Sequence, residues 1–408
     1  MPTSLGPMSL LSRWSQRLVS LYVPVLLTSM CGGMISLVCP FEVHRLGGSA
    51  AAMGAVGAIL TATYVIGCLV FGPYADRMNP RDLVRWGLCL QAVAVLWMAF
   101  AQTLPVFFVA AGLYGVLTTL FWPPVMGWIS TGYEGPSLNR RLSLFNLSWC
   151  AGMVVGPLAG GLMYEVHHAL PFFAATLLVV LAMAVVMRVR SRGSNEHPGG
   201  GGTPHPADDF DAERVALFRP LARVAHLLAY VAMGIFRYQL PSLAVHLGIR
   251  TGPVGVALMS LSIAMALTFY RLGRTHRWHY RMVPFFSAQI VLTGSVLSLL
   301  LVRTWWHMAL CLIVGGVCVG VTYSSNLFYG VSGGRDRAKL MAIHELLLSC
   351  GFIVGALGGG WVTAHVAVRA AYPICAALLA AGMAVQWVLL FRAKGLSTTR
   401  TGNSPANA

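Results

Sequence analysis

Twelve apolar runs, each long enough to cross a bilayer, constrain this 408-residue chain more than anything else in it. A spanning helix needs about 20 mainly apolar residues. Runs near 16–40, 50–71, 83–101, 105–129, 143–165, 169–189, 220–246, 253–270, 281–302, 304–329, 339–363 and 369–391 meet that length. Hydrocarbon offers the backbone no hydrogen-bonding solvent, so each run must satisfy its own N–H and C=O groups as a helix. Charged residues make up only 10% of the chain, against roughly 25% in soluble domains, which excludes an ordinary soluble fold.

The formal net charge of +16 raises the question of a nucleic-acid partner. Its placement answers no. With both termini on one side, twenty-three of the 28 basic residues fall in segments on that side, among them Arg77, Arg81, Arg85, Arg140, Arg141, Arg271 and Arg274. Four (Arg45, Arg250, Arg303 and Arg369) fall on the other, and Arg237 lies inside a run. Such asymmetry is the positive-inside rule. It predicts a multi-pass protein of the cell membrane with cytoplasmic termini and the lipid bilayer as its surroundings. The nine cysteines all lie within runs and lack a C-x-x-C pair, so they read as small apolar packing groups, with no metal site or cofactor expected.

Residues 190–219 interrupt the hydropathy with Arg190, Arg192, the Gly/Pro-rich stretch from His197 to His205, and the acidic Asp208–Glu213. Gly and Pro make this a flexible cytoplasmic tether, with His197 and His205 read as solvated. The chain divides into an N-terminal six-helix bundle (1–189), the tether (190–219), a C-terminal six-helix bundle (220–396) and a cytoplasmic tail (397–408). The bundles repeat each other. A shift of 201 residues pairs Pro40 with Pro241, Gly47 with Gly248, Gly54 with Gly255 and Gly72 with Gly273; a shift of 199 pairs Gly152, Gly156, Gly160 and Gly161 with Gly351, Gly355, Gly359 and Gly360. The expected fold class is therefore all-α, a polytopic membrane protein of 12 transmembrane helices in two pseudo-symmetric six-helix bundles.

Between the second and third runs stands Gly72-Pro-Tyr-Ala-Asp76-Arg77-Met-Asn79-Pro80-Arg81. Gly72 is expected to let the chain turn as the second helix ends. Asn79, Pro80 and Asp82 read as cap, first and third positions of the next helix. The pattern resembles the loop 2–3 signature of the major facilitator superfamily, with Asn79 where that signature has Gly and Pro80 where it has a basic residue. The resemblance makes Gly72, Asp76, Arg77 and Arg81 a conformational hinge. It also matches the parallel repeat and places a substrate site between the bundles near mid-membrane.

The fifth run carries Gly152, Gly156, Pro157, Gly160 and Gly161, small residues at four-residue spacing plus a kinking proline. This stretch resembles the antiporter signature of the drug–proton exchanger branch, though Ser143 replaces an earlier Gly; plain close helix packing is the favoured alternative. Where that branch has an arginine in the fourth helix, this chain has Ala111, so the resemblance supplies no proton-coupling arginine. Helices 1, 4, 7 and 10 line the cavity in this fold. That makes Tyr114, Thr118, Trp122, Arg237, Tyr323 and Asn326 candidate lining residues, with an ordinary packed stripe as the alternative for the first three.

Ionisable groups inside spans are functional suspects. Arg237 could hold a substrate anion, pair with a membrane carboxylate or merely pack. Glu345, beside His344, could carry protons or form a gate contact; Glu42 lies near the outer end of the first run, where interfacial solvation competes with a functional role, and Glu165 reads as solvated. No catalytic motif is present, so the expectation is a transporter and not an enzyme. The leading reading is a secondary active transporter of a small molecule or ion working by alternating access, with export as the direction and proton coupling left open. Uptake or facilitated passage of an anion bound by Arg237 is the alternative within transport. A transporter-like receptor or assembly component of a membrane complex is the alternative from another class.

Overall fold

The computed structural model describes residues 7–75, 78–130, 135–188, 212–275, 277–331 and 337–401, with side chains at 22–72, 78–130, 140–188, 213–275, 277–330 and 340–392. The described residues form helices and connecting turns, and twelve spans are long and apolar enough to cross a membrane. The N-terminal half comprises α1 (Pro7–Arg45), α2 (Ala50–Ala75), α3 (Pro80–Phe100), α4 (Leu104–Thr118) with α5 (Trp122–Ser130), α6 (Gly135–Val166) and α7 (Leu170–Arg188). The C-terminal half comprises α8 (Ala212–Tyr238) with α9 (Leu240–His246), α10 (Thr251–Leu272), α11 (Met282–Ser298), α12 (Trp305–Val331), α13 (Arg337–His365) and α14 (Ala371–Thr401).

Two spans are each built from a pair of helices, and the sequence explains both breaks. Pro123 and Pro124 cannot continue the ladder of the fourth span, and its chain tightens into three-residue turns between Thr119 and Phe121. The seventh span breaks at Gln239, ahead of Pro241; the Gln239 side chain donates across to Ala356 O at 2.9 Å. α8 begins at Ala212, inside the segment read as tether. The extra turns are packed, because Phe218, Leu221, Ala222 and Ala225 bury against Phe285, Tyr329 and Leu390. Nor does the chain turn at Gly72. α2 runs on to Ala75, and Gly72 stands in open space where a missing side chain removes no contact. At the start of α3, Asn79 accepts from Arg81 N at 3.0 Å with Pro80 as the first helical residue.

Two large apolar cores lie one mainly in each half, each taking a few residues from the other. One joins residues such as Ile35, Leu88, Phe107 and Phe172; the other joins Phe236, Leu261, Leu292 and Tyr372. The repeat recurs atom for atom at the turns that follow α1 and α9. Gly47 N donates to His44 O and Gly48 N to Val43 O; 201 residues on, Gly248 N donates to Val245 O and Ile249 N to Ala244 O. Gly47 (φ 84°) and Gly248 (φ 66°) take the left-handed conformation that closes this Schellman turn.

The glycine stripes repeat as well. A Cβ on Gly152 would fall 2.5 Å from Ser29 Cβ and 2.7 Å from Met30 N, on α1. One on Gly351 would fall 2.9 Å from Tyr230 Cβ and 3.1 Å from Val231 N, on α8, the partners again displaced by 201. Gly156 and Gly160 likewise abut Met30, Gly33 and Met34. Without a hydrophobic drive between helices in lipid, such backbone approach supplies the packing.

Several buried polar groups find partners across helices. Gln289 on α11 and Gln386 on α14 exchange amide hydrogen bonds of 3.0 and 2.7 Å while both are buried. Gln386→Leu is expected to lower stability by about 1–3 kcal/mol, because Gln289 is left unsatisfied. The Gln289→Leu/Gln386→Leu double variant should recover most of that loss. A double-mutant cycle by thermal unfolding in detergent checks it, and a double variant as unstable as the sum of the singles would count against the pairing.

Candidate functional site

The halves meet tightly at the face remote from Arg188 and Ala212. There α2 crosses α13 and α10 crosses α6, a symmetric pair of contacts. A Cβ on Gly54 would fall 2.9 Å from Gln239 Nε2 and 3.0 Å from Gly360 Cα, and one on Gly360 would lie 3.0 Å from Ala50 O. In the mirrored crossing, a Cβ on Gly161 would lie 2.5 Å from Thr251 O, and Gly255 abuts Pro157 and Leu158. Thr251 Oγ1 donates to Gly161 O at 2.9 Å, and Gly252 N donates to Glu165 Oε1 at 2.8 Å, with Arg250 3.9 Å from the same carboxylate. Glu165 is thus not merely solvated. It caps the first turn of α10, where unpaired amides favour an anion, and so ties the two halves together.

Deeper in, Arg237 Nη1 donates to Ser36 Oγ at 3.1 Å. Ser36 and Arg237 are themselves 201 residues apart. A residue that touches its own repeat mate lies on the pseudo-twofold axis, so Arg237 sits at the centre of the molecule between the halves. Its Nε has no hydrogen-bond partner, and among the described residues no carboxylate pairs with it. Tyr230 and Tyr238 of α8 lie within its electrostatic reach.

Glu345 lies towards the other face, near the start of α13. It is exposed, yet lies within electrostatic range of Tyr64 and Cys68 on α2 of the other half and of Tyr230 and Tyr323 of its own half. A carboxylate within range of both halves and still exposed lies at the boundary between them. Tyr323 is half-buried beside Phe269 (ring centroids 5.2 Å) and Tyr230 (6.4 Å), while Asn326 is buried and bonded to His344 Nδ1 at 2.8 Å.

The remaining candidates scatter. Tyr114 is buried with its hydroxyl 3.8 Å from Cys31 Sγ on α1. Thr118 is turned back onto its own helix, donating to Gly115 O at 2.6 Å, and Trp122 packs edge-on against Phe121 and Phe145. Glu42, 1% exposed, is held within the N-terminal half by Arg45 (2.6 and 3.0 Å) and by the Tyr164 hydroxyl (3.0 Å), with His168 3.5 Å away. Desolvation pulls the His168 imidazole below its ordinary value, with Glu42 opposing. Arg81 and Arg85 both donate to Met187 O at the end of α7, at 3.3 and 3.4 Å. Asp76 and Arg77 lie outside the described residues.

Sequence reasoning passed over Ser36 and His226, and read Glu165 as solvated. The 201-residue offset carried the signal for Ser36, since axis contacts join residues one repeat apart. Nothing local marks His226, and nothing local gives Glu165 its partner on α10.

The Major Facilitator Superfamily model matches residues 21–332. The chain belongs to that superfamily. Multidrug resistance protein 1 of Bacillus subtilis (strain 168) is 23% identical over 341 residues, covering 80% of this chain and 85% of that protein. Quinolone resistance protein NorA of Staphylococcus aureus (strain MRSA252) is 24% identical over 179 residues, 42% of this chain and 45% of that one. Among solved structures, a bacterial homologue of the human lysosomal transporter Spinster, inward-facing and occupied, has a TM-score of 0.66 at 15% identity, covering 96% of this chain and 99% of that one. The nucleoside transporter NupG gives 0.66 at 12% identity, with 91% and 99% covered. These structures share the fold of this multi-pass membrane transporter.

Proposed function

We propose that this superfamily member exports a small organic molecule from the cytoplasm by alternating access, with the crevice between its halves as the binding site. The observation that carries the reading is Glu345, an exposed carboxylate at the boundary of two halves that are closed against each other at the far end by Glu165, Thr251 and the paired glycine crossings. The basic face is the cytoplasmic one, in the cell membrane, and the bundles 1–189 and 220–396 are the bodies that rock. Asp76, Arg77 and Arg81 act at the hinge. The drug-resistance names of the two relatives support export and a small-molecule cargo. Glu345 exchanges protons with crevice water, which couples export to the proton gradient.

Proteoliposomes loaded with ethidium, with and without an imposed pH gradient, test this. Glu345→Gln is expected to cut gradient-driven transport at least about ten-fold, the scale of a lost general acid–base group, while protein yield and melting stay unchanged. Gradient-driven transport at the wild-type rate in Glu345→Gln would remove the carboxylate from the mechanism.

Arg237 supports a second reading, in which the cargo is an organic anion. A guanidinium on the central axis with a free Nε offers a two-pronged contact to a carboxylate or phosphate.

A further inference from the structure

Behind Glu345 lies a cage that transport of a neutral molecule would not require. His226 of α8 and His344 of α13 are 0% and 2% exposed, and their rings stack at 4.5 Å between centroids and 23° between planes. Tyr230 (4.8 Å) and Tyr323 (5.7 Å) flank His226, and Tyr323 also meets His344 edge-on at 4.9 Å. Both nitrogens of His226 lack a hydrogen-bond partner, as does Nε2 of His344, whose Nδ1 is engaged by Asn326. Burying three unpaired ring nitrogens is unfavourable. A phenylalanine would fill the same space without that penalty, so a purely structural role does not account for the histidines. Stacked rings point their in-plane lone pairs side by side instead of at one point, and no three-ligand metal cluster exists among the described residues.

We propose that the His226–His344 stack is an occluded proton site, filled from Glu345 and emptied to it, which sets the conformational equilibrium of the transporter. This rests on the proton-coupled reading above. Successive helical residues diverge by about 100°, so α13 holds Glu345 in the crevice and His344 inside the bundle. A proton leaves the Glu345 carboxyl and adds to the free lone pair of a ring nitrogen on the stack, giving an imidazolium and a carboxylate. The cation lies against the faces of Tyr230, Tyr323 and the second imidazole. With Asn326 Nδ2 donating to Nδ1, neutral His344 carries its hydrogen on Nε2, so His226 supplies the accepting lone pair. The titratable or charged groups around the cage are Arg223 and Tyr230 of α8, Tyr323 of α12, Glu345 of α13, Cys150 of α6, and Tyr64 and Cys68 of α2; Arg237 acts on Tyr230 from further along α8.

The test needs no cargo. Spin labels at Leu69 on α2 and Leu267 on α10, both exposed, report the width of the crevice mouth in nanodiscs by electron–electron resonance. Moving from about pH 8 to about pH 5.5, across the ordinary imidazole range, is expected to shift the wild-type open-to-closed ratio several-fold. His226→Phe keeps the ring stack without nitrogens, and His344→Gln keeps a polar partner for Asn326. Both should lose the shift, and His226→Phe should also melt higher. A full wild-type shift in both variants overturns the histidine site and leaves proton coupling standing. A wild type whose distances ignore pH overturns both.

Discussion

Gly54→Val is expected to leave each bundle folded and to unseal the face remote from the crevice mouth. The atoms a new side chain would meet, on Ala356, Gln239 and Gly360, all belong to the other half of the molecule. Overpacking a close contact costs about 1–3 kcal/mol, and here that cost falls on one conformation only. A difference of that size shifts a two-state equilibrium roughly 5- to 150-fold. Transport should fall by a comparable factor, while a cysteine introduced at Ser36, half-buried between the halves beneath that crossing, becomes more reactive to impermeant thiol reagents in a cysteine-free background. Gly156→Val offers the contrast, because its neighbours Met30, Gly33 and Met34 lie on α1 of the same half. That variant should lower melting temperature and yield. Unchanged thiol labelling in well-folded Gly54→Val protein would show that the crossing of α2 and α13 does not govern access.

Arg237→Met should give a more stable protein that does not transport. The guanidinium has one hydrogen bond, to Ser36, an unpartnered Nε and no carboxylate partner among the described residues. Removing a charge so poorly satisfied is expected to add about 1–3 kcal/mol, the usual penalty for a buried unmet group. Methionine fills much of the same volume without that penalty. Arg237→Lys should not restore activity, since an ammonium cannot reproduce the planar two-pronged fork. Melting curves and proteoliposome transport of both variants decide this. A lower melting temperature in Arg237→Met would mean that the guanidinium is already compensated in the resting protein. Wild-type transport of every cargo by Arg237→Met would end any role for it in binding.

The twelve spans, the two-bundle repeat and the Asn79–Pro80 helix start were all legible in the residue order. Span length and hydropathy act within one stretch of chain, because a helix in lipid must satisfy its own backbone. The Gly47 and Gly248 turns recur because each depends on five or six neighbouring residues. Gly72 misled for the complementary reason: a glycine permits a turn but does not impose one, and the surrounding bilayer favours a continued helix. The partners of Glu165, Glu42, Arg237 and His226 had to come from the folded molecule. Glu165 meets Gly252 across 87 residues, and Arg237 meets Ser36 across 201. Those meetings depend on which face each helix turns inward and on how two rigid bundles lean together, and neither is written into any single stretch of helix.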